Sequence, residues 1–150
     1  MPTVTRTVST PAPLDVVREY LRDFGNAPEW DAGTVTCEPV DPTTPVAVGK
    51  QWTNVSEFRG KQTTLTYTLE ADEPTRLRIV GRNKTVTSED EMTFTGADGG
   101  GTTVSYTATF TFHGFAKAAT PFMVPALKGL ADDAEQSLGS ALQKLPTTRS

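Results

Sequence analysis

An apolar stripe near the end of the chain, over residues 120–145, most constrains what this sequence can fold into. Its members recur at steps of three and four residues, which places them on one face of a helix: Leu127, Leu130, Ala131, Ala134, Leu138, Ala141, Leu142 and Leu145. Thr120 suits the N-cap, Pro121 suits the first helical position, and Pro146 ends the element. The helix would be about 35–40 Å long. It therefore needs a large apolar surface to cover its stripe.

The rest of the chain predicts a sheet that supplies this surface. Alternation of apolar and polar residues predicts seven strands, over 3–10, 35–40, 50–58, 62–71, 76–81, 85–95 and 102–113. A helix over 14–24 and a short helix or turn over 27–30 follow the first strand. Six consecutive strands with short connections indicate an antiparallel meander. The sequence therefore predicts an α+β fold, with a curved antiparallel sheet around one long C-terminal helix.

Length, charge and cysteine content narrow the class of protein. A chain of 150 residues suits one domain, expected over 1–146, with a disordered tail over 147–150. The net charge of −4, with 14 scattered Lys and Arg residues, offers no cationic face for nucleic acid or an anionic membrane. The chain has no membrane-spanning apolar run, and Met1 is followed by no secretory signal. The lone Cys37 cannot form an internal disulfide. We expect a cytoplasmic protein, monomeric or homodimeric.

The motifs of common cofactor and metal chemistry are missing. His113 is the single histidine and Cys37 the single cysteine, so no zinc-binding cluster can form. No nucleophile elbow, P-loop or dinucleotide fingerprint occurs. The glycines at 99–101 lie between two predicted strands, as in a hairpin, whereas a phosphate-binding loop leads into a helix. The sequence predicts no metal and no cofactor.

Four short patterns follow one another along the chain. They are the helix start Pro11-Ala12-Pro13-Leu14-Asp15-Val16-Val17, the segment from Phe24 to Trp30-Asp31, the step Val48-Gly49, and Gly100-Gly101-Thr102-Thr103-Val104. In this order they resemble the START/SRPBCC (helix-grip) superfamily, and within it the polyketide cyclase/dehydrase-like branch. The resemblance implies a sheet that grips the C-terminal helix around an apolar cavity. It also implies ligands such as lipids, sterols, polyketides or plant hormones, and cyclisation or dehydration of polyketides in some members.

Strand alternation selects the side chains that would face such a cavity. The candidate ligand-binding residues are Trp52, Asn54, Phe58, Tyr67, Leu69, Ile79, Ser88, Asp90, Met92, Tyr106 and Phe110 on the strands, and Phe122, Met123 and Leu127 on the helix. For any single apolar member, filling a solid core is the commoner role. Trp30 is expected to plug the junction between the small helices and the second strand, with a place at the pocket mouth as the alternative.

Asp90 is the candidate whose position has the sharpest consequences. A carboxylate between Val86 and Met92 is unfavourable in a dry core unless it is hydrogen-bonded or paired. If it points inward, burial should raise its pKa, which suits a ligand anchor or a proton donor. The alternative is a bulge that shifts the register and leaves Asp90 exposed with Glu89 and Glu91. The sequence leaves both open.

Three functions are compatible with these features. The favoured one is the binding of a hydrophobic small molecule, lipid-, sterol- or polyketide-like, between sheet and helix. The alternative is a polyketide cyclase or dehydratase in which Asp90 and Tyr106 form the catalytic acid/base pair. The third is a partner-binding protein without a ligand. The sequence favours a binding protein over an enzyme and does not name the ligand.

Overall fold

A computed structural model describes residues 2–58, 60–97 and 99–147, with the side chains of Phe58, Ala119, Thr120 and 122–124 outside the description. The strands are β1 (Thr3–Thr10), β2 (Thr34–Pro39), β3 (Gln51–Phe58), β4 (Lys61–Glu73), β5 (Arg76–Arg82), β6 (Val86–Gly96) and β7 (Thr102–Phe112). The helices are α1 (Leu14–Arg22), α2 (Ala27–Trp30) and α3 (Thr120–Gln143), and short 3₁₀ turns occupy Phe24–Asn26 and Gly114–Ala119. Most of the predicted tail, residues 148–150, lies outside the described residues.

The strands form one antiparallel sheet in the order β1-β7-β6-β5-β4-β3-β2. Strands β2 to β7 make the predicted meander, and the first strand joins its far edge beside the last. The predicted α+β fold, a curved seven-stranded sheet with a long C-terminal helix and two short helices after the first strand, is confirmed.

Element ends differ from the predicted ones by up to two residues, for local reasons. Helix α1 stops at Arg22 because Asp23 adopts an extended conformation and its carboxylate accepts a hydrogen bond from the Gly25 amide at 3.0 Å. Strand β4 continues to Glu73 because a register shift between Leu69 and Ala71 lets it go on pairing with β5. Neither feature has a periodic signature in the sequence.

Helix α3 is attached through its C-terminal half. Leu138, Ala141 and Leu142 are buried in the core. The Thr10 hydroxyl donates to the Leu142 carbonyl at 2.9 Å, and the Gln143 amide donates to the Ser9 carbonyl at 3.1 Å. The backbone of α3 approaches β1 and α2 most closely. The helix is therefore fixed along one edge of the sheet, and its other half passes over the sheet without packing closely on the central strands.

An ion-pair cluster fixes α1 to the end of β4. The Asp72 carboxylate, whose side chain is only 9% exposed, accepts from Arg18 at 2.5 Å and from Arg22 at 2.6 Å. These guanidinium groups also donate to the backbone carbonyls of Glu73 and Val46. The hydrogen bond from Arg22 lowers the pKa of Asp72 below its usual value. Asp72 is therefore the carboxylate that both guanidinium groups share.

Replacing Asp72 by Ala should lower the free energy of unfolding by about 2–3 kcal/mol, because both guanidinium groups lose their carboxylate. Urea denaturation of the two proteins measures the difference. Asp132→Ala is the matched control: it also removes a carboxylate bound to an arginine, Arg6, but Asp132 is 69% exposed. Its loss should change stability by less than about 1 kcal/mol. Equal effects of the two substitutions would show that burial of the pair does not matter.

Candidate functional site

A cavity of about 650 Å³, part of it open to solvent, lies between the sheet and the first half of α3. The helix contributes residues at the spacing of one helical face: Leu127, Leu130, Ala131 and Ala134. The sheet contributes Val4 from β1, Ser56 and Glu57 from β3, and residues of β4, β6 and β7. The connection between α2 and β2 closes one side with Asp31 and Gly33.

The cavity lies where short inward side chains on β6 and β7 stand among larger ones. Leu69, Ile79 and Met92 are fully buried and fill the core towards one end of the sheet. In the register of β6 and β7, Ala108 lies opposite Asp90 and Ser88 lies opposite Phe110, and both short side chains line the cavity. With α3 held along β1, these short side chains do not reach the helix. The space between them is therefore left unfilled.

A hydrogen-bonded polar group forms the floor of this cavity. The Tyr106 hydroxyl donates to the Asp90 Oδ1 atom at 3.0 Å. The Ser88 hydroxyl is hydrogen-bonded to Asp90 and to Tyr67. Strand β6 pairs with both neighbours without a register shift, so Asp90 keeps the inward direction and is 5% exposed. The alternative of a bulge that exposes Asp90 does not occur.

A second carboxylate, that of Asp31, faces the same cavity. It follows α2 directly, and its two oxygens accept from the Gly33 amide at 3.2 Å and from the Thr34 hydroxyl at 2.9 Å. Burial raises its pKa, although these hydrogen bonds lower it in part. Sequence analysis missed Asp31 as a site residue because it lies in a connection without periodicity. Its one signal is that a carboxylate follows the buried Trp30.

Burial determines the protonation state of Asp90 in the floor. The pKa of Asp90 is raised from 3.8 to about 7, because burial and the negative charge of Asp31 raise it more than the hydrogen bonds from Tyr106 and Ser88 lower it. Near neutral pH the carboxyl group therefore exchanges its proton readily and can act as donor or acceptor. Burial also raises the pKa of Tyr67 and of Tyr106 well above 10, so both phenols stay neutral hydrogen-bonding groups.

Two contacts fix the tyrosine rings of the floor. Trp30, which is 1% exposed, packs edge-on against Tyr106 with ring centroids 6.0 Å apart. Its buried indole Nε1 has no hydrogen-bond partner among the described residues. The Tyr67 ring lies over Gly81, its partner on β5, where an added Cβ would come within 2.5 Å of the ring. Gly81 thus leaves room for the ring to lie flat on the strand.

The structure divides the candidate ligand-binding residues into three groups. Those that line the cavity are Tyr67, Ser88, Asp90, Tyr106, Phe110 and Leu127. Those that do not line it but lie within the core are Trp52, Asn54, Leu69, Ile79 and Met92. The side chains of Phe58, Phe122 and Met123 lie outside the described residues.

The core group takes the inward direction that alternation predicts, but at positions where packing leaves no space. Trp52 is 1% exposed and packs edge-on against Phe24 at 6.1 Å. The Asn54 amide donates to the Thr34 hydroxyl at 3.3 Å and is hydrogen-bonded to the Cys37 thiol, whose pKa burial raises to about 11. Alternation gives the direction of a side chain but not its distance from the helix. It therefore could not separate core from cavity.

Within the described ranges, no three His, Cys, Asp or Glu side chains come together as a metal site would require. His113 instead shares a 2.8 Å hydrogen bond with the Thr87 hydroxyl through its Nε2 atom. Among the same residues, no helix is long and apolar enough to cross a membrane.

The sheet, the gripped helix and the cavity between them define a helix-grip, START-like fold that can hold a ligand. The chain belongs to the family described as polyketide cyclase / dehydrase and lipid transport, whose model matches residues 1–143. This match confirms the membership that the sequence patterns predict. No significant match exists among curated protein sequences.

Solved structures show the same fold at low sequence identity. A START superfamily protein from Mycobacterium smegmatis is 12% identical, with a TM-score of 0.76 over 93% of this chain and 96% of that one. The Zhui aromatase/cyclase from Streptomyces sp. R1128 is 16% identical, with a TM-score of 0.73 over 93% of this chain and 90% of that one. The di-domain ARO/CYC BexL from the BE-7585A biosynthetic pathway is 14% identical, with a TM-score of 0.65 over 96% of this chain and 50% of that one.

The raised pKa of Asp90 has a measurable effect on stability. The folded state holds this proton up to about pH 7, whereas the unfolded chain releases it near 3.8. The native state therefore binds more protons between these values, and the free energy of unfolding should fall as pH rises through this window. Asp90→Asn should remove this fall, which at its steepest is about 1.4 kcal/mol per pH unit. Urea denaturation at several pH values measures it.

The raised pKa of Asp31 also makes the free energy of unfolding fall with rising pH. The informative quantity is therefore the difference in free energy of unfolding between the wild type and Asp90→Asn at each pH. Glu38→Gln is a suitable control because Glu38 is exposed on β2. Its stability curve should run parallel to that of the wild type. A parallel curve for Asp90→Asn as well would mean that Asp90 is not a buried acid.

Proposed function

We propose that this protein binds a mainly apolar small molecule, lipid-, sterol- or polyketide-like, in the cavity between the sheet and α3. The observation that carries the proposal is an apolar cavity of about 650 Å³ that ends on the hydrogen-bonded Asp90, Tyr106 and Ser88. Ligand sites commonly combine apolar walls with a few polar groups that fix the orientation of the ligand. A protein that binds only partners would not need such a cavity.

The walls and the floor would act in different ways. Leu127, Leu130 and Phe110 offer apolar surface, which stabilises a bound ligand by about 25 cal/mol for each Å² removed from water. Asp90 and Tyr106 offer hydrogen bonds to a hydroxyl or keto group of the ligand. Membership of a family described by polyketide cyclisation and lipid transport supports this assignment.

A bulky side chain at Ser56 should weaken binding at least tenfold, because Ser56 lines the cavity and Ser56→Phe would fill part of it. The neutral fluorescent probe N-phenyl-1-naphthylamine, titrated into the protein, measures the affinity. Thr53→Phe is the matched control, since Thr53 is on the same strand with an exposed side chain. We expect wild-type affinity for the control. No saturable probe binding by the wild type would remove the basis of the proposal.

A second candidate function is acid/base catalysis in the same cavity, as in a polyketide cyclase or dehydratase. The observation that favours it is an Asp90 pKa of about 7, together with the 3.0 Å hydrogen bond from Tyr106. A carboxyl group with this pKa can remove a proton next to a ketone and return it to a departing hydroxyl, so that aldol closure ends with loss of water. Tyr106 would stabilise the charge that develops on the carbonyl oxygen once its hydroxyl turns from Asp90 to the substrate.

Catalysis predicts that Asp90→Asn binds substrate but does not convert it, because the amide retains hydrogen bonding and cannot exchange the proton. A synthetic poly-β-ketone thioester, incubated with each protein and followed by mass spectrometry, would show the loss of one water with the wild type only. Glu38→Gln, with its exposed side chain, should convert it at the wild-type rate. Binding without conversion by the wild type would favour the carrier function over the enzyme.

A further inference from the structure

The cavity above the polar floor, here called the central compartment, borders two further spaces. The first side compartment lies between α3 and the connection from α2 to β2, and shares Gly33, Glu57 and Leu130 with the central one. It extends along the helix to Gly129, where an added Cβ would meet no atom within 4 Å. Gly129 is exposed, so the first side compartment is open to solvent beside the helix backbone at this point.

The second side compartment lies in the other direction. It shares Ser56, Tyr67, Ser88, Phe110 and Leu127 with the central compartment. Its further walls are Leu65, Val86 and Phe112, with Thr63 among the lining residues. Thus both side compartments border the central one. Of the polar floor, Asp90 and Tyr106 line the central compartment alone among the three, and Ser88 also lines the second side compartment.

From this arrangement we propose that the three compartments form one channel, and that its ligand is a neutral chain with keto or hydroxyl groups near its middle and an apolar arm on either side. The proposal rests on the proposed binding function and specifies its ligand. The middle of such a chain would meet Asp90, Tyr106 and Ser88, and each arm would fill one side compartment. A ligand with its polar group at one end would leave one apolar compartment empty.

The charges around the channel exclude an acidic ligand. Among the described residues that line the three compartments there is no Lys, Arg or His. Asp31 and Asp90 lie inside, and Glu57 and Asp133 line the first side compartment. A ligand carboxylate would find no cation and would be repelled by these groups. The ligand chain therefore carries no carboxylate.

The length of the lined surface suits an extended chain. On β7 the inward residues from Tyr106 to Phe112 border the central and second side compartments, a distance of about 20 Å along the strand. On α3 the lining residues run from Pro125 to Ala134, about 13 Å along the helix. A compact ring system would occupy only part of this length.

The first test compares three ligands of equal chain length in displacing N-phenyl-1-naphthylamine from the wild-type protein. They are a saturated sixteen-carbon alcohol with its hydroxyl at the eighth carbon, the same alcohol with a terminal hydroxyl, and the corresponding fatty acid. We expect the mid-chain alcohol to bind at least tenfold more tightly than either of the others. Equal affinities for the two alcohols, or tighter binding of the acid, would overturn the proposal.

The second test fills each side compartment in turn. Gly129→Phe would occupy the first and Thr63→Phe the second. Each substitution should weaken the binding of the mid-chain alcohol at least tenfold more than it weakens the binding of the compact probe. The matched controls are the exposed neighbours Lys128→Phe and Thr64→Phe, which should leave both affinities unchanged.

The outcomes separate the two proposals. If the compact probe binds but either filling substitution fails to act selectively on the long alcohol, the channel is wrong and the binding function stands. If neither the probe nor any alcohol binds the wild type, the binding function itself is wrong. Circular dichroism of each variant, compared with the wild type, verifies that it is folded. Should Gly129→Phe not fold, Gly129→Leu tests the same compartment with a residue of high helix propensity.

Discussion

The attachment of α3 to β1 determines the rest of the architecture. Leu138 and Leu142 are buried in the core, and hydrogen bonds to Ser9 and Thr10 fix the end of the helix against the first strand. A helix held at one edge of a curved sheet cannot also pack on its centre along its whole length. Leu69, Ile79 and Met92 fill part of the gap, and it stays open where side chains as short as Ser88 and Ala108 face the helix. The cavity is thus a product of helix position and side-chain size together.

The sequence predicts the fold well because the periodicity of apolar residues specifies the direction in which each side chain points. The stripe from Leu127 to Leu145 and the alternation on the strands specify which side chains face one another, and the order of elements follows from turn residues. The stripe does not show that its first half, at Leu127 and Ala134, borders a cavity while its second half, at Leu142, fills a core. That difference depends on distances between elements far apart in the chain, which no local pattern contains.

Prediction of the candidate site from the sequence has the same limit. Asp90 and Tyr106 follow from alternation because both occupy inward strand positions. Asp31 does not, since it lies in a connection and reaches the cavity only because α2 folds back beneath α3. Gly81 looks like a break in β5, and only the ring of Tyr67 lying over it explains the missing side chain. Residues whose position matters because of a contact with another secondary-structure element leave no signal in a single sequence.

The burial of Asp90 also bears on how this protein could be engineered. An acid that loses its proton only near pH 7 inside an apolar fold weakens the native state at neutral pH, and an uncharged side chain of similar size would not. Directed evolution for heat resistance, with no demand for activity, should therefore replace this residue early. A gain in thermal tolerance obtained in that way would remove the titratable carboxyl group of Asp90 from the cavity. The residues that such a selection replaces first are those whose side chains lower the stability of the native state.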